Sequence, residues 1–103
     1  MPRFQSYREA LISARSPTQV SQLLAEAVDD LTPQELKSLP SECRDALVDR
    51  GDIHGAAVTL LHCDLRHRGN REVGELVRQT AELYAWASVR LSQLEHMRPE
   101  TSA

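Results

Sequence analysis

An unbroken helical pattern runs from about Asn70 to Met97, more than a quarter of this 103-residue chain. At about 1.5 Å per residue such a helix is roughly 40 Å long, whereas a compact domain of this size is only about 26 Å across, twice its expected radius of gyration. The helix must therefore project, or be clasped by a second copy. Part of its surface is expected to serve another molecule.

Its main stripe is Val73, Val77, Thr80, Tyr84, Ala87, Leu91 and Leu94, widened by Leu76 and Leu83 over the first half, with the alternating steps of four and three that mark one helix face. The opposite face carries Arg71, Glu75, Arg78, Glu82, Trp86, Val89, Gln93 and His96. Its first half is an ordinary solvated surface, with Arg78 and Glu82 spaced for an (i, i+4) ion pair. The second half is different. Trp86 and Val89, with Ala85 beside them, cannot point into the core that holds Tyr84 and Leu91. Another helix of the same chain folds over them, or they meet a subunit or partner, as tryptophan often does at binding hot spots, or they are simply exposed.

A chain of this length makes one domain with a modest core. Aromatic residues are only 4% of it, so the core must be mostly Leu, Val and Ala. Fifteen acids against twelve bases give a net charge of −3 without large blocks, and no part is basic enough to look built for nucleic acid. The apolar runs are too short for the roughly 20 residues of a membrane span, and no charged-then-apolar leader opens the chain. Cys43 and Cys63 fit no disulfide framework or zinc ribbon. A reducing, cytoplasmic setting is the expectation. Eleven Arg beside one Lys hint at a GC-rich bacterial or phage genome.

Every ordered segment reads as helix. Phe4 to Ala14 offers Tyr7, Leu11 and Ile12 to a core. Ser16-Pro17-Thr18-Gln19 is a capping box with proline at the first helical position, opening a stripe of Val20, Leu23, Leu24, Ala27, Val28 and Leu31. Thr32-Pro33-Gln34-Glu35 repeats the device for a short piece that turns Leu36 and Leu39 inward before Pro40. A helix capped by Ser38 or Ser41 runs to Arg50, contributing Cys43, Ala46, Leu47 and Val48, and Gly51 is its expected left-handed exit. Asp52 caps the next helix, Ile53 to His67, which is apolar nearly all round its middle (Ala56, Ala57, Val58, Leu60, Leu61, Cys63, Leu65) and reads as the central, most buried one. Gly69-Asn70 ends it and caps the long helix. Residues 1–97 form one domain, and 98–103 a disordered tail.

Few groupings suggest chemistry. His62, Cys63, Asp64 and His67 lie close along one helix, and Cys63 with His67 has a spacing that can place two ligands on one metal, but no second pair completes a zinc site. A buried thiol with solvent-facing histidines is the expected arrangement, and the same residues lack the orienting acid that a Cys/His nucleophile needs. Arg66, His67, Arg68 and Arg71 form the one basic cluster, at the corner between the last two helices. They can complement a helix dipole, or contact a phosphate or an acidic partner. A helix-turn-helix could be drawn with Thr18 to Asp30 as the reading helix, but its face of Gln19, Gln22, Glu26 and Asp29 would repel phosphates.

The expected object is an all-α single domain of five or six helices with a long C-terminal helix, dimeric, without metal or cofactor. Its expected role is non-enzymatic: a regulatory or adaptor-type module, such as an anti-activator or chaperone, that binds another protein or itself. Ala85, Trp86 and Val89 on the long helix, with Arg66, Arg68 and Arg71 at the corner, are the candidate partner-binding residues. The alternative is a small DNA-binding transcriptional regulator.

Overall fold

The computed structural model describes residues 3–48 and 51–97, all of whose regular structure is helical. The helices are α1 (Gln5–Ile12), α2 (Pro17–Asp29), α3 (Pro33–Ser38), α4 (Ser41–Val48), α5 (Ile53–Arg66) and α6 (Gly74–Met97). The expected tail 98–103 lies outside the described residues, as does the predicted end of α4 at Arg50.

The spine is the antiparallel pair of α5 and α6, the most extensive helix contact in the molecule. A short connection from His67 to Val73 allows only this arrangement. Gly69 takes the left-handed conformation there, at φ 84°, which a residue with a Cβ adopts at a cost. A hydrogen bond of 2.6 Å between His54 Nδ1 and Ser88 Oγ marks the register at the far end. Two smaller groups cover the spine. The α1–α2 pair lies on α6, and α4 lies on α5.

The caps form by local chemistry. Ser16 Oγ accepts from the Gln19 N–H at 3.1 Å, while Gln19 Oε1 accepts from the Arg15 N–H at 2.7 Å, one residue before the position a capping box would use. At Thr32 the box is complete: Thr32 Oγ1 accepts from the Glu35 N–H at 3.0 Å, and Glu35 Oε1 from the Thr32 N–H at 2.9 Å. Asp52 Oδ1 caps α5 through the Gly55 N–H at 2.9 Å.

The core joins both wings to the spine. From α1 and α2 come Leu11, Val20, Leu24, Ala27 and Val28; from α4, Cys43 and Leu47; from α5, Ala57, Leu60 and Cys63; and from α6, Val77, Ala81, Leu83, Tyr84 and Ala87. Burying each Leu or Val side chain stabilises the fold by about 1.5–3 kcal/mol. Tyr84 keeps its polar end satisfied by donating to the Leu47 carbonyl at 3.2 Å. Arg90 Nε donates to the Ala14 carbonyl at 2.9 Å and ties the end of the first wing to α6.

The structure corrects the sequence reading in several places. Asn70 does cap, but its Oδ1 accepts from the Glu72 and Val73 N–H groups of a turn, and α6 starts at Gly74. That start is tight. A Cβ at Gly74 would lie 2.9 Å from the His67 carbonyl oxygen. Ile12 and Val48, expected inside, are exposed, because each stands at the last turn of a short helix beyond the reach of a covering element. Leu23 and Leu36 are half-buried at the margin of the core. The largest correction concerns α5. It is not buried on all sides: Val58, Leu61 and Leu65 are 53%, 43% and 60% exposed.

Ser16→Ala and Thr32→Ala are each expected to lower unfolding free energy by about 1 kcal/mol. Urea midpoints that do not move for either variant would contradict these helix starts. A second expectation concerns acid. Arg3 hydrogen-bonds the Glu35 carboxylate, with the Thr32 N–H adding to the effect, and together they hold Glu35 well below the usual carboxylate range, at about 2. A folded-state value below the unfolded one means that the ionised group stabilises the fold above its ordinary pKa of 4.5, and that this contribution disappears as pH falls through about 2. Glu35→Gln keeps the cap acceptor and removes the charge, so its deficit relative to wild type should be present at neutral pH and shrink steadily as pH falls from about 4.5 towards 2. A deficit that persists unchanged into acid would rule out the charge as its origin.

Candidate functional site

Trp86 and Val89 sit on α6 at the edge of its contact with α1, which leaves them largely uncovered. They are 43% and 51% exposed, and Ala85 beside them is half-buried. With Arg8 of α1 and Glu82 of α6 they line an open groove of about 490 Å³. Its floor is apolar and its ends are charged. Arg8 and Glu82 stand 3.4 Å apart, a long exposed ion pair whose coupling in water is weak and which is readily exchanged for other partners. Trp86 is the single tryptophan of the chain, and an indole left half in water at a groove edge is poised to bury a large area against a second molecule.

A second group of exposed apolar residues lies on α5. On α5 the exposed Val58, Leu61 and Leu65 continue the line of exposed His54, with steps of four, three and four. The His54–Ser88 bond fixes their level on α6: one turn further along, Val58 stands beside the Tyr84–Ala85 pair. Rotating by about 100° per residue from Ser88, which faces α5, turns Trp86 by about 160°, so the α6 residues point away from α5 and the two groups are separate surfaces. Sequence reasoning found the exposed residues of α6 and missed those of α5. The four-three-four spacing was present, but the other sides of α5 are equally apolar and concealed it.

The basic residues occupy a separate place. Arg66 pairs with the Glu42 carboxylate and donates to Cys63 Sγ at 3.6 Å. Arg68 lies 3.7 Å from the buried Asp64, and Arg71 is exposed on the turn before α6. Trp86 lies twelve residues beyond the start of α6 at Gly74, about 18 Å along the helix. The two sets of predicted partner-binding residues thus do not form one site.

Cys43 and Cys63 meet where α4 packs on α5, both fully buried and unoxidised. Burial first, and then the hydrogen bond with Cys63, push the Cys43 thiol well up. Such a thiol is a poor nucleophile. Among the described residues no three His, Cys, Asp or Glu side chains come close enough to hold a metal ion, and no helix is long and apolar enough to cross a membrane. A cleft of about 410 Å³ between α4 and α5 gathers Glu42, Asp45 and Asp52 around Thr59, and another of about 530 Å³ is lined by Arg3, Arg8, Glu75, Arg78 and Glu82. In the second, Arg78 is engaged by both Glu75 and Glu82.

No family model, curated protein or solved structure matches this chain.

In the native protein both thiols should react with a maleimide or an aromatic disulfide orders of magnitude more slowly than in urea. Complete modification within the mixing time under native conditions would show that α4 does not stay packed on α5.

Proposed function

We propose that this protein is a non-enzymatic binding module, and that the groove at Trp86, Val89 and Ala85 receives an apolar side chain of another protein. The observation that supports this reading is the half-exposed Trp86 on a groove floor of apolar residues. The other described aromatic residues are buried or half-buried, so Trp86 is set apart from the core that the rest of the chain builds. The flanking Arg8 and Glu82 suit a partner helix or loop that carries one apolar anchor between charged neighbours. The outward face of α2 carries Gln19, Gln22, Glu26 and Asp29, all exposed, which suits protein contact better than a phosphate backbone.

Because Trp86 is the sole tryptophan, its emission reads the groove directly. Proteins captured from the native host should be purified and titrated against the full chain. A true partner should shift the emission to the blue and shield it from iodide. Trp86→Ala with Val89→Glu should weaken that complex by roughly thirtyfold, the factor that corresponds to about 2 kcal/mol at a hot spot, while helical circular dichroism persists. Captured proteins that leave the emission unchanged and bind the double variant as well as wild type would refute the reading, as would unfolding of the double variant.

A further inference from the structure

We infer that the exposed seam of α5 is a self-association surface on which a second copy of this chain packs its own α5 in the opposite direction. This rests on the reading of the protein as a binding module and adds one occupant, on a different helix from the Trp86 groove. His54, Val58, Leu61 and Leu65 recur at the four-three-four spacing of a heptad seam, the pattern by which one helix packs along another with knobs in holes. The run on α6 at Glu82, Trp86, Val89 and Gln93 has the same spacing but is apolar only at its two middle positions, whereas three of the four α5 positions are apolar. The occupant of the α5 seam is therefore a helix.

Charge along α5 selects a copy of the same helix and sets its direction. The N-terminal end carries the exposed Asp52, and the C-terminal end carries the exposed Arg68, with Arg66 beside it paired to Glu42 of α4. Between them the seam bears no carboxylate or guanidinium. In a parallel pair the basic ends would lie against each other. In an antiparallel pair centred between Val58 and Leu61, Val58 meets Leu61 of the copy, His54 meets Leu65, and Asp52 comes level with the basic end of the copy. The surface is self-complementary under a two-fold axis, as an isologous dimer requires. Arg68 is free to serve because its ion pair with Asp64 is long, at 3.7 Å, and its side chain is 71% exposed. The Trp86 groove lies on the far side of α6 from α5 and stays open in such a dimer.

Sedimentation velocity and light scattering on the full chain, across a micromolar concentration series, test this. Wild type should reach twice the 11.6 kDa chain mass. Leu61→Glu should return it to a single chain, weakening association by at least about thirtyfold, with the helical spectrum and melting temperature retained because the side chain is already 43% exposed. Arg68→Gln should weaken association several-fold, and added salt should do the same. A wild-type chain that stays monomeric, or a dimer that survives Leu61→Glu, would overturn the inference. So would an Arg68→Gln variant that dimerises more tightly, since that is the signature of parallel pairing. A dimer lost in Trp86→Ala, Val89→Glu but kept in Leu61→Glu would place self-association on α6, overturning the inference while leaving the binding-module reading standing. Conversely, loss of the dimer in Leu61→Glu beside a silent Trp86 signal would support the seam and refute the groove.

Discussion

The antiparallel packing of α5 on α6 is the contact on which the rest of the molecule depends. A chain of this size has too few apolar side chains to cover a 24-residue helix on all sides, and folding one helix back on the other is the shortest way to bury the α6 stripe. Everything else attaches to this pair. The α1–α2 wing packs on α6, and α4 packs on α5, where Cys43 meets Cys63. The wings leave part of each helix without cover, at Trp86 and Val89 on α6 and at Val58, Leu61 and Leu65 on α5. The exposed apolar residues are thus a consequence of topology as well as of composition.

What could be read from the sequence divides along physical lines. The starts of α2, α3 and α5 were legible because a cap is a bond between a side chain and a backbone group within three residues, and nothing distant can alter it. The α6 stripe was legible because seven positions repeat the same period. Trp86 and Val89 were recognisable as misplaced, since they interrupt a charged face. By contrast, the exposed side of α5 depends on where α4 and α6 sit, and a helix that is apolar all round gives no indication of which side they leave open. The start of α6 was misplaced for a related reason. Asn70 satisfies turn N–H groups as well as helical ones, and only the contact of Gly74 with the His67 carbonyl shows where the helix can begin. The approach of Cys43 to Cys63 was illegible because it arises from the packing of two helices separated by a turn.

The polar groups show a matching division between the structural and the available. Arg3, Arg66, Arg78 and Arg90 are committed to Glu35, Glu42, the Glu75–Glu82 pair and the Ala14 carbonyl. These contacts fasten one element to another or line a helix surface, and most are exposed enough that each contributes only a fraction of a kcal/mol. Arg8 and Arg68 are held by the longest pairs, at 3.4 and 3.7 Å, and these two stand beside the exposed apolar residues of α6 and near the end of the α5 seam. Charges that are loosely held next to apolar surface can be exchanged for those of a partner at little cost, which is the arrangement of a polar rim around an apolar centre.

The identities of the exposed residues carry the same point. On a solvated helix face, Glu, Lys, Gln or Arg serve both helix propensity and solubility. Valine does neither, since its branched Cβ loses rotamer freedom against the preceding turn and places it several tenths of a kcal/mol below those residues. Val58 and Val89 therefore stand where an isolated chain gains nothing from them, each about half exposed, and each beside further apolar side chains on the same face. A single exposed valine needs no explanation. Two of them, one in line with Leu61 and Leu65 and the other beside the only tryptophan, are costs that the isolated fold does not recover and that burial against a second helix or an apolar anchor would.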